Sequence, residues 1–249
     1  MKSVNSDVAY DYIRKRILSG EYPAGQSLAT NTLSTEIGVS RTPVRDALRQ
    51  LEADGLVTIT ARLGASVKTM DLTEFREMCS MRLALESHAA GLAATNRTET
   101  DLEEIAYALE AMRKLTEKIV RAPQEEPLLA DLRKEDVRFH VAIMTAAKNN
   151  LMKKEILRLH LINRVVASPA PTGPDPVIAR SERDKRRGDV LLSHEEIYEA
   201  IRRSDAPAAK SAMERHIQDI IDNTLRAMAR VEGGALAREL TEEELSYTT

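Results

Sequence analysis

The stretch GVSRTPVRDALRQLEADG, Gly38 to Gly55, places a proline close to the start of a segment that otherwise has the periodicity of a helix. Proline is tolerated in the first turn of a helix, because its missing N–H would have no intrahelical partner there. Ser40 belongs to the residue types that cap helix starts, and glycine commonly ends helices. The sequence therefore predicts a helix from Arg41 to about Asp54.

The two faces of this predicted helix differ in chemistry. Apolar residues recur at helical spacing and form the stripe expected to be buried: Val44, Ala47, Leu48 and Leu51. Arg41, Arg45 and Arg49 follow at intervals of four, and because four residues turn a helix through about 400°, they share one exposed face. Such a row is often only a solvated face. Three acidic residues of the same segment could also pair with it: Asp46, Glu52 and Asp54.

The segments before this helix predict two further helices. Residues 8–18 have helical periodicity and end before Gly20. A shorter helix begins at Thr30 or Asn31, either of which could cap it, and is broken sharply at Gly38. The sequence therefore predicts three helices with a tight turn between the second and the third.

The segment after the helix predicts a β-hairpin. Two β-prone runs, 56–60 and 65–68, are joined by a glycine-containing tip at 61–64. Three helices followed by a hairpin form a winged helix-turn-helix, which lays its third helix in the major groove of DNA. The arginine row lies on the face that would meet that groove, which favours DNA contact over a merely solvated face.

Composition limits the class of protein. The 249 residues suffice for two domains, and 30% charged with 43% hydrophobic residues is the balance of a globular protein. The net charge is −3, but residues 1–70 hold nine Lys/Arg against seven Asp/Glu. No apolar run reaches the roughly 18 residues of a membrane span, and no signal sequence is apparent. With Cys79 as the single cysteine, we expect a cytoplasmic protein without disulfides.

The chain after residue 70 has helical patterns throughout. Asp71-Leu72-Thr73-Glu74 is a capping-box pattern, and it marks the predicted boundary between a domain at 1–70 and a second domain at 71–231. Thr100 to Glu103 predicts another helix start. Further helical stretches are predicted over four ranges: 127–147, 150–167, 190–203 and 206–231. The predicted fold is mainly α, with an N-terminal winged helix-turn-helix and a C-terminal all-helical bundle.

Two stretches of the second half lack this pattern. Ala167 to Gly188 contains four prolines and then a run of charged residues, which predicts a mobile loop. The tail at 232–249 is polar, and it predicts either a loosely held helix capped near Thr241 or a disordered end.

Histidines are the first candidates for chemistry in the second domain. Asp136 and His140 are four residues apart, the spacing that lets two side chains on one helix face reach one ion. His194 and His216 lie on two later predicted helices, each flanked by apolar residues. Each of these features alone is more typical of an ordinary hydrogen-bonded histidine than of a metal ligand.

The N-terminal segment resembles the DNA-binding domain of GntR-type bacterial transcription regulators. The resemblance rests on GVSRTPVRDALRQLEADGLV, with GEYPAG before it and RLGASV after it, and covers about residues 6–69. It implies DNA contacts from four residues of the third helix and insertion of Gly64, at the wing tip, into the minor groove. The four residues are Arg41, Thr42, Arg45 and Arg49. Relatives often carry a charged residue near the start of the second helix, where this chain has Thr30-Asn31-Thr32.

The remaining chain resembles the FadR-like branch of the same family, whose helical ligand-sensing domain is called FCD. RLALESHAAGLAA, DVRFHVAIMTAAKNN and HEEIYEAIRRSDAPAAKSAMERHI carry this resemblance over about residues 72–229. It implies four metal ligands, the Asp and His of D-x-x-[FV]-H and one histidine from each of the last two long helices: Asp136, His140, His194 and His216. Arg82 and Asn149 match positions that line the effector cavity, and His88 and His160 are left as structural.

A functional expectation follows from the resemblance and from charge. Three neutral imidazoles, one carboxylate and a divalent ion sum to about +1, which attracts an anion such as a small organic acid. Nitrogen and oxygen ligands suit zinc, which we place first, as well as nickel, manganese, cobalt or iron. We therefore expect a ligand-responsive regulator, a repressor that binds a palindromic DNA operator as a homodimer.

Two alternatives stay open at this point. One is a metal-stabilised DNA-binding protein with no small-molecule effector. The other is a metal-dependent hydrolase, which is disfavoured because the chain contains no H-E-x-x-H, G-x-S-x-G or P-loop motif. We therefore expect no enzymatic activity.

Overall fold

The computed structural model describes residues 4–166 and 179–236, with side chains as far as residue 226. The predicted fold class is confirmed in these ranges. Three helices and a hairpin form the N-terminal part, and six helices form the C-terminal part.

The N-terminal part consists of five elements. Its helices are α1 (Val4–Ser19), α2 (Thr30–Ile37) and α3 (Arg41–Ala53), and its strands are β1 (Val57–Thr60) and β2 (Gly64–Val67). The strands pair antiparallel, with Val57 opposite Val67 and Thr60 opposite Gly64. The predicted stripe of α3 is buried, together with Pro43 in its first turn, against the apolar faces of α1 and the hairpin.

The turn between α2 and α3 follows from one glycine and one serine. Gly38 has φ of +74°, a conformation that glycine adopts without a Cβ clash, and its N–H donates to the carbonyl of Ser34. The hydroxyl of Ser34 also donates to the carbonyl of Val39 at 2.5 Å. These bonds end α2 abruptly and set the direction in which α3 leaves.

The C-terminal part is a bundle of six helices. They are α4 (Leu72–Asn96), α5 (Glu99–Arg121), α6 (Leu128–Ala146), α7 (Asn150–Val166), α8 (Arg180–Arg202) and α9 (Ala206–Leu236). Its largest contacts are those of α4 with α9, α5 with α6, and α8 with α9. The core between them is built mainly from small and aliphatic side chains and includes Phe75 and Phe139.

Of three predicted helix starts, one is confirmed and two are corrected. The capping box at Asp71 and Glu74 is present. Neither Thr30 nor Asn31 caps α2, because Ala29 occupies the cap position and no side chain accepts a hydrogen bond there. The cap of α5 is Thr98, which forms a capping box with Asp101, so the helix starts before the predicted Thr100.

The second half of the predicted loop at 167–188 is helical, so that part of the prediction is wrong. Residues 167–178 lie outside the described ranges, but α8 begins at Arg180. Pairs at helical spacing support this start, as between Arg186 and Glu182 at 2.6 Å. Buried Glu125 also accepts from Arg187 at 3.0 Å, which anchors the charged turns of α8 to the segment after α5.

Helix α7 joins the two parts of the molecule. Val165 packs in the N-terminal core, and Arg164 donates to the carbonyl of Leu18 at the end of α1, at 3.1 Å. Gly55, directly after α3, lies so close that a Cβ there would be 2.6 Å from Cδ1 of Ile162. The division into domains at residues 70 and 71 stays a prediction, and the predicted tail at 232–249 falls partly on α9, which runs to Leu236, and partly outside the described ranges.

Candidate metal centre and nucleic-acid interface

The arginine face of α3 is open to solvent. Arg41, Arg45 and Arg49 are exposed, as is Thr42 beside them. Within the described residues Arg41 and Arg45 form no ion pair, and Arg49 reaches Asp46 only at 3.6 Å, with 74% of its side chain exposed. An exposed pair of this kind contributes little free energy, so it leaves the positive charge available.

The other two acidic residues that could have neutralised this row are bound elsewhere. Asp54 accepts a hydrogen bond from the hydroxyl of Tyr10 at 2.7 Å. Glu52 accepts from the backbone N–H of Ile59 at 3.0 Å and so supports the first strand of the hairpin. Both carboxylates therefore have partners within the N-terminal fold. Neither is used to neutralise the arginine row of α3.

The wing tip consists of exposed residues. Gly64 opens β2 with φ of +94°, and no heavy atom would lie within 4 Å of a Cβ there. Arg62 and Leu63 precede it, both exposed, and Arg62 also has a positive φ. The hairpin thus projects a narrow tip with a cationic and an apolar side chain beside the predicted contact residue.

The three predicted histidine ligands converge. His140 on α6, His194 on α8 and His216 on α9 are all buried, and their candidate ligand atoms lie within 4.8 Å of one another. Asp136, one turn before His140, places Oδ1 3.2 Å from Nε2 of His194, and its side chain is 40% exposed. The structure therefore brings the three predicted histidines together and places Asp136 against one of them, on the side that faces solvent.

Hydrogen bonds from α8 set the tautomers of two of these histidines. The carbonyl of Val190 accepts from Nδ1 of His194 and from the hydroxyl of Ser193, both at 2.7 Å. Ser193 has one proton, so when it donates to Val190 its oxygen accepts from Nδ1 of His216, at 2.8 Å. His194 is therefore protonated at Nδ1, and His216 is as well when the Ser193 proton goes to Val190, which leaves the Nε2 lone pairs of both rings pointing into the cluster.

These lone pairs face other acceptors. Nε2 of His216 lies 3.3 Å from Nε2 of His140, and Nε2 of His194 faces the carboxylate of Asp136 without a well-aligned hydrogen bond. A proton on either Nε2 would pair His140 with His216, and another on His194 would pair it with Asp136, whereas one divalent cation could bind the three rings and the carboxylate together. The donor set, three imidazoles and a carboxylate, fits such an ion.

Burial keeps the cluster in the protonation state that metal binding requires. Burial lowers the pKa of His140 to about 4 and that of His216 to about 2, so both are neutral at pH 7. Burial alone would raise the pKa of Asp136, but the adjacent His194 and the other two imidazoles hold it below its usual range. A carboxylate and neutral imidazoles therefore meet at this point.

A buried network next to the cluster was not predicted. Glu86 on α4 has one oxygen 2.8 Å from Nε of Arg82 and 3.0 Å from Nε2 of His160, and its other oxygen lies 3.6 Å from Nδ1 of His140. In the sequence, Arg82 and Glu86 look like any pair four residues apart on a helix surface. Only the packing of α4, α6 and α7 shows that the pair is buried.

The remaining predicted residues fall in different places. Arg82 lies in this network through its ion pair with Glu86, whereas Asn149 accepts a hydrogen bond from the N–H of Met152 at 3.0 Å and caps the start of α7. His160, for which a structural role is predicted, contacts Glu86 at 3.0 Å. His88 is exposed on α4.

Two family models match the chain. The model of the FCD domain matches residues 77–219, and that of the bacterial regulatory proteins of the gntR family matches residues 5–67. The chain belongs to the gntR family of bacterial regulatory proteins. It is a transcriptional regulator of the GntR/FCD type, with an N-terminal part that implies DNA binding and an FCD domain that implies a small-molecule effector.

Relatives of this regulator match it over most of its length. It is 28% identical to the HTH-type transcriptional regulator LutR of Bacillus subtilis (strain 168), over 83% of this chain and 94% of that one. It is 26% identical to the probable D-xylose utilization operon transcriptional repressor of Paenarthrobacter nicotinovorans, over 91% and 92%. Among solved structures, E. coli McbR/YncC has the same fold, with a TM-score of 0.67 at 18% identity, over 91% and 99%.

These comparisons decide between the classes of protein considered above. The matched families and relatives are transcription regulators and not enzymes, so the expectation that the regulator is not an enzyme is confirmed. None of the helices described is long and apolar enough to cross a membrane.

Proposed function

We propose that this regulator is a cytoplasmic repressor that binds a palindromic operator as a homodimer and releases it when a small organic acid binds at a metal ion. His140, His194, His216 and Asp136 would hold the ion. When bound, the ion would supply open coordination positions for a carboxylate or hydroxyl group of the acid. Zinc is the first candidate, and nickel, manganese, cobalt and iron suit the same ligands.

The observation that carries this proposal is the set of facing acceptors in a buried space. Nε2 of His140 and Nε2 of His216 are 3.3 Å apart, and Nε2 of His194 faces an ionised carboxylate. Facing acceptors cost free energy in a bundle interior unless a proton or a cation lies between them. A shared cation is the simplest group that explains all three rings.

Charge supports an anionic effector. The ion with one carboxylate and three neutral imidazoles carries about +1. Arg82 and Glu86 add one charge of each sign, and because they are paired at 2.8 Å they leave this excess unchanged. Arg82 is buried against Glu86, where a second carboxylate could compete for its guanidinium.

Helix α7 offers a route from this site to the DNA-binding part. His160 contacts Glu86 beside the cluster, and five residues later Val165 packs in the N-terminal core. An acid that prefers one placement of α7 would favour one placement of the recognition helix, and it would change operator affinity by the ratio of its affinities for the two states.

The DNA-binding proposal rests on the open face of α3. Arg41, Thr42, Arg45 and Arg49 would contact phosphates or base edges in the major groove, and Gly64 would bring the wing tip into the minor groove. One winged helix reads few base pairs, so two copies on a two-fold symmetric site would supply the specificity.

The test combines metal analysis with ligand-induced stabilisation. Protein purified without chelator should hold about one divalent ion per chain, and acetate, lactate, succinate or citrate at millimolar concentration should raise its melting temperature and weaken operator binding. His216→Ala should abolish both effects, whereas the control His88→Ala should keep them, because His88 is exposed. Bound metal without any response to acids would support the metal-stabilised DNA-binding protein instead.

A further inference from the structure

Two buried polar atoms beside the histidine cluster face each other. Oε2 of Glu86 and Nδ1 of His140 lie 3.6 Å apart, and neither has a hydrogen-bond partner within the described residues. Glu86 is 1% exposed and His140 is 3% exposed, so water is largely excluded from both. Buried polar atoms are normally hydrogen-bonded. The separation of these two atoms is about 0.6 Å longer than the usual N–H···O distance.

Glu86 is held in place and is ionised. Its Oε1 accepts from Nε of Arg82 at 2.8 Å and lies 3.0 Å from Nε2 of His160. Burial alone would raise the pKa of Glu86, but His160, Arg82 and His140 lower it to about 2. A carboxylate fixed by one oxygen therefore presents the other oxygen to His140 as an acceptor.

His140 needs an acceptor at this position. Its Nε2 points at His216, so it can present a lone pair there only if the ring proton is on Nδ1. Binding of a cation at Nε2 makes Nδ1 an obligate donor. The other two histidines have their Nδ1 atoms held by Val190 and Ser193 of α8, but among the described residues no group on α8 accepts a hydrogen bond from Nδ1 of His140.

We propose that Glu86 is the positioning carboxylate of the metal centre: it holds His140 in the Nδ1-protonated tautomer and so directs Nε2 to the ion. This inference rests on the metal site proposed above. Carboxylates that accept from a metal-bound histidine fix the orientation of the ring and raise its basicity as a ligand. Helix α4, which supplies none of the four ligands, thereby becomes part of the centre.

The test compares Glu86→Gln with Glu125→Gln. Both variants neutralise a buried, arginine-paired glutamate of the same bundle, but Glu125 contacts Arg183 and Arg187 of α8 and none of the histidines. Zinc affinity is measured by chelator competition at fixed pH. Glu86→Gln should weaken zinc binding by about 10–100-fold, whereas Glu125→Gln should leave the dissociation constant within about twofold of wild type, since it touches no ligand.

A second readout does not depend on metal. In metal-free protein with ¹⁵N-labelled histidine, two-bond ¹H–¹⁵N correlation spectra should show His140 protonated at Nδ1 in wild type and Glu125→Gln, and a shift towards protonation at Nε2 in Glu86→Gln. If Glu86→Gln fails to fold, the double variant Arg82→Met/Glu86→Leu removes both buried charges together and carries the same two measurements.

The outcomes separate this inference from the proposed function. Wild-type zinc affinity together with an unchanged His140 tautomer in the Glu86 variants would overturn the positioning role. A wild-type protein that binds no divalent ion, but whose His140 tautomer still changes in Glu86→Gln, would overturn the proposed metal site and retain the contact between Glu86 and His140.

Discussion

The arginine face of α3 and the histidine cluster of the bundle illustrate two ways of placing functional side chains. The arginines lie on one helix, keep their charge and remain in water, so the helix period alone sets their arrangement. The histidines lie on three helices, with His140 and His216 76 residues apart, and they are buried. An exposed charge needs no partner, whereas a buried imidazole must find one for each nitrogen. The first arrangement is therefore local, and the second depends on the whole bundle.

If the proposed ion holds the histidine cluster together, its removal should have the largest effect on stability, because the arginine face depends on no such ion. At a free-ion concentration about 1,000-fold above the dissociation constant, metal binding contributes about 4 kcal/mol to the free energy of unfolding. His194→Ala or a chelator should remove this contribution, which calorimetry would detect as a lower melting temperature. Operator binding by the N-terminal part should persist. Equal melting curves of wild type, His194→Ala and chelator-treated protein would show that the histidines are ordinary core residues.

Gly55→Ala should produce the next largest effect, because Gly55 lies where the N-terminal part contacts α7. Its φ of +80° strains any residue with a Cβ, and that Cβ would lie 2.6 Å from Ile162. Gly20 is the matched control, since it has φ of +81° and open space around it. The left-handed backbone conformation should lower the free energy of unfolding of each variant by about 1–2 kcal/mol. Overpacking should lower that of Gly55→Ala by about 1–3 kcal/mol more. Urea denaturation measures both. Equal losses of unfolding free energy in the two variants would mean that α7 moves away from the added Cβ at no measurable cost in stability.

Arg45→Ala and Arg49→Ala should change binding and leave stability nearly constant. Each should weaken operator binding by about 1–3 kcal/mol if the side chain reaches a base edge, and it should reduce the salt dependence of binding if it contacts phosphate. Arg133→Ala, on the exposed surface of α6, removes the same charge far from α3 and serves as control. Fluorescence anisotropy across a salt series distinguishes the two kinds of contact. A folded Arg45→Ala/Arg49→Ala double variant with wild-type affinity and salt slope would exclude this face from the interface.

Asp101→Asn should show the smallest effect. It tests a half-buried charged group, intermediate between the exposed arginines and the buried histidines. Burial alone would raise the pKa of Asp101, but hydrogen bonds from Lys148 and Thr98 lower it to about 2. A depressed carboxyl pKa stabilises the fold above the unfolded value of about 4 and loses that effect as the pH falls towards the folded value. The variant should therefore lose about 1–2 kcal/mol at pH 7, and the difference from wild type should shrink between pH 4 and pH 2. Denaturant titrations at several pH values measure this, with the exposed Asp131→Asn as control.

The outcome of the sequence predictions follows the same division between local and tertiary determinants. The start of α3 at Arg41, the hairpin and the capping box at Asp71 depend on neighbours within a few residues, and all were predicted. The helical turns that follow Arg180 were missed, because their contacts with Glu125 and with the carbonyl of Ile119 come from a segment about 60 residues earlier in the chain. The cap of α5 was displaced by two residues because Thr98 and Thr100 are equally good local candidates.

The sequence by itself determined the class of protein, the order of its helices and the face of α3 that carries the arginines, since helix and strand periods and turn residues act over short distances. It also pointed to the four candidate ligands through their resemblance to a family pattern. Only the tertiary structure decided that the three histidines converge, that Glu86 faces His140, and that α7 touches both parts of the molecule. These features depend on which buried polar atoms meet across helices, and no local pattern encodes that pairing.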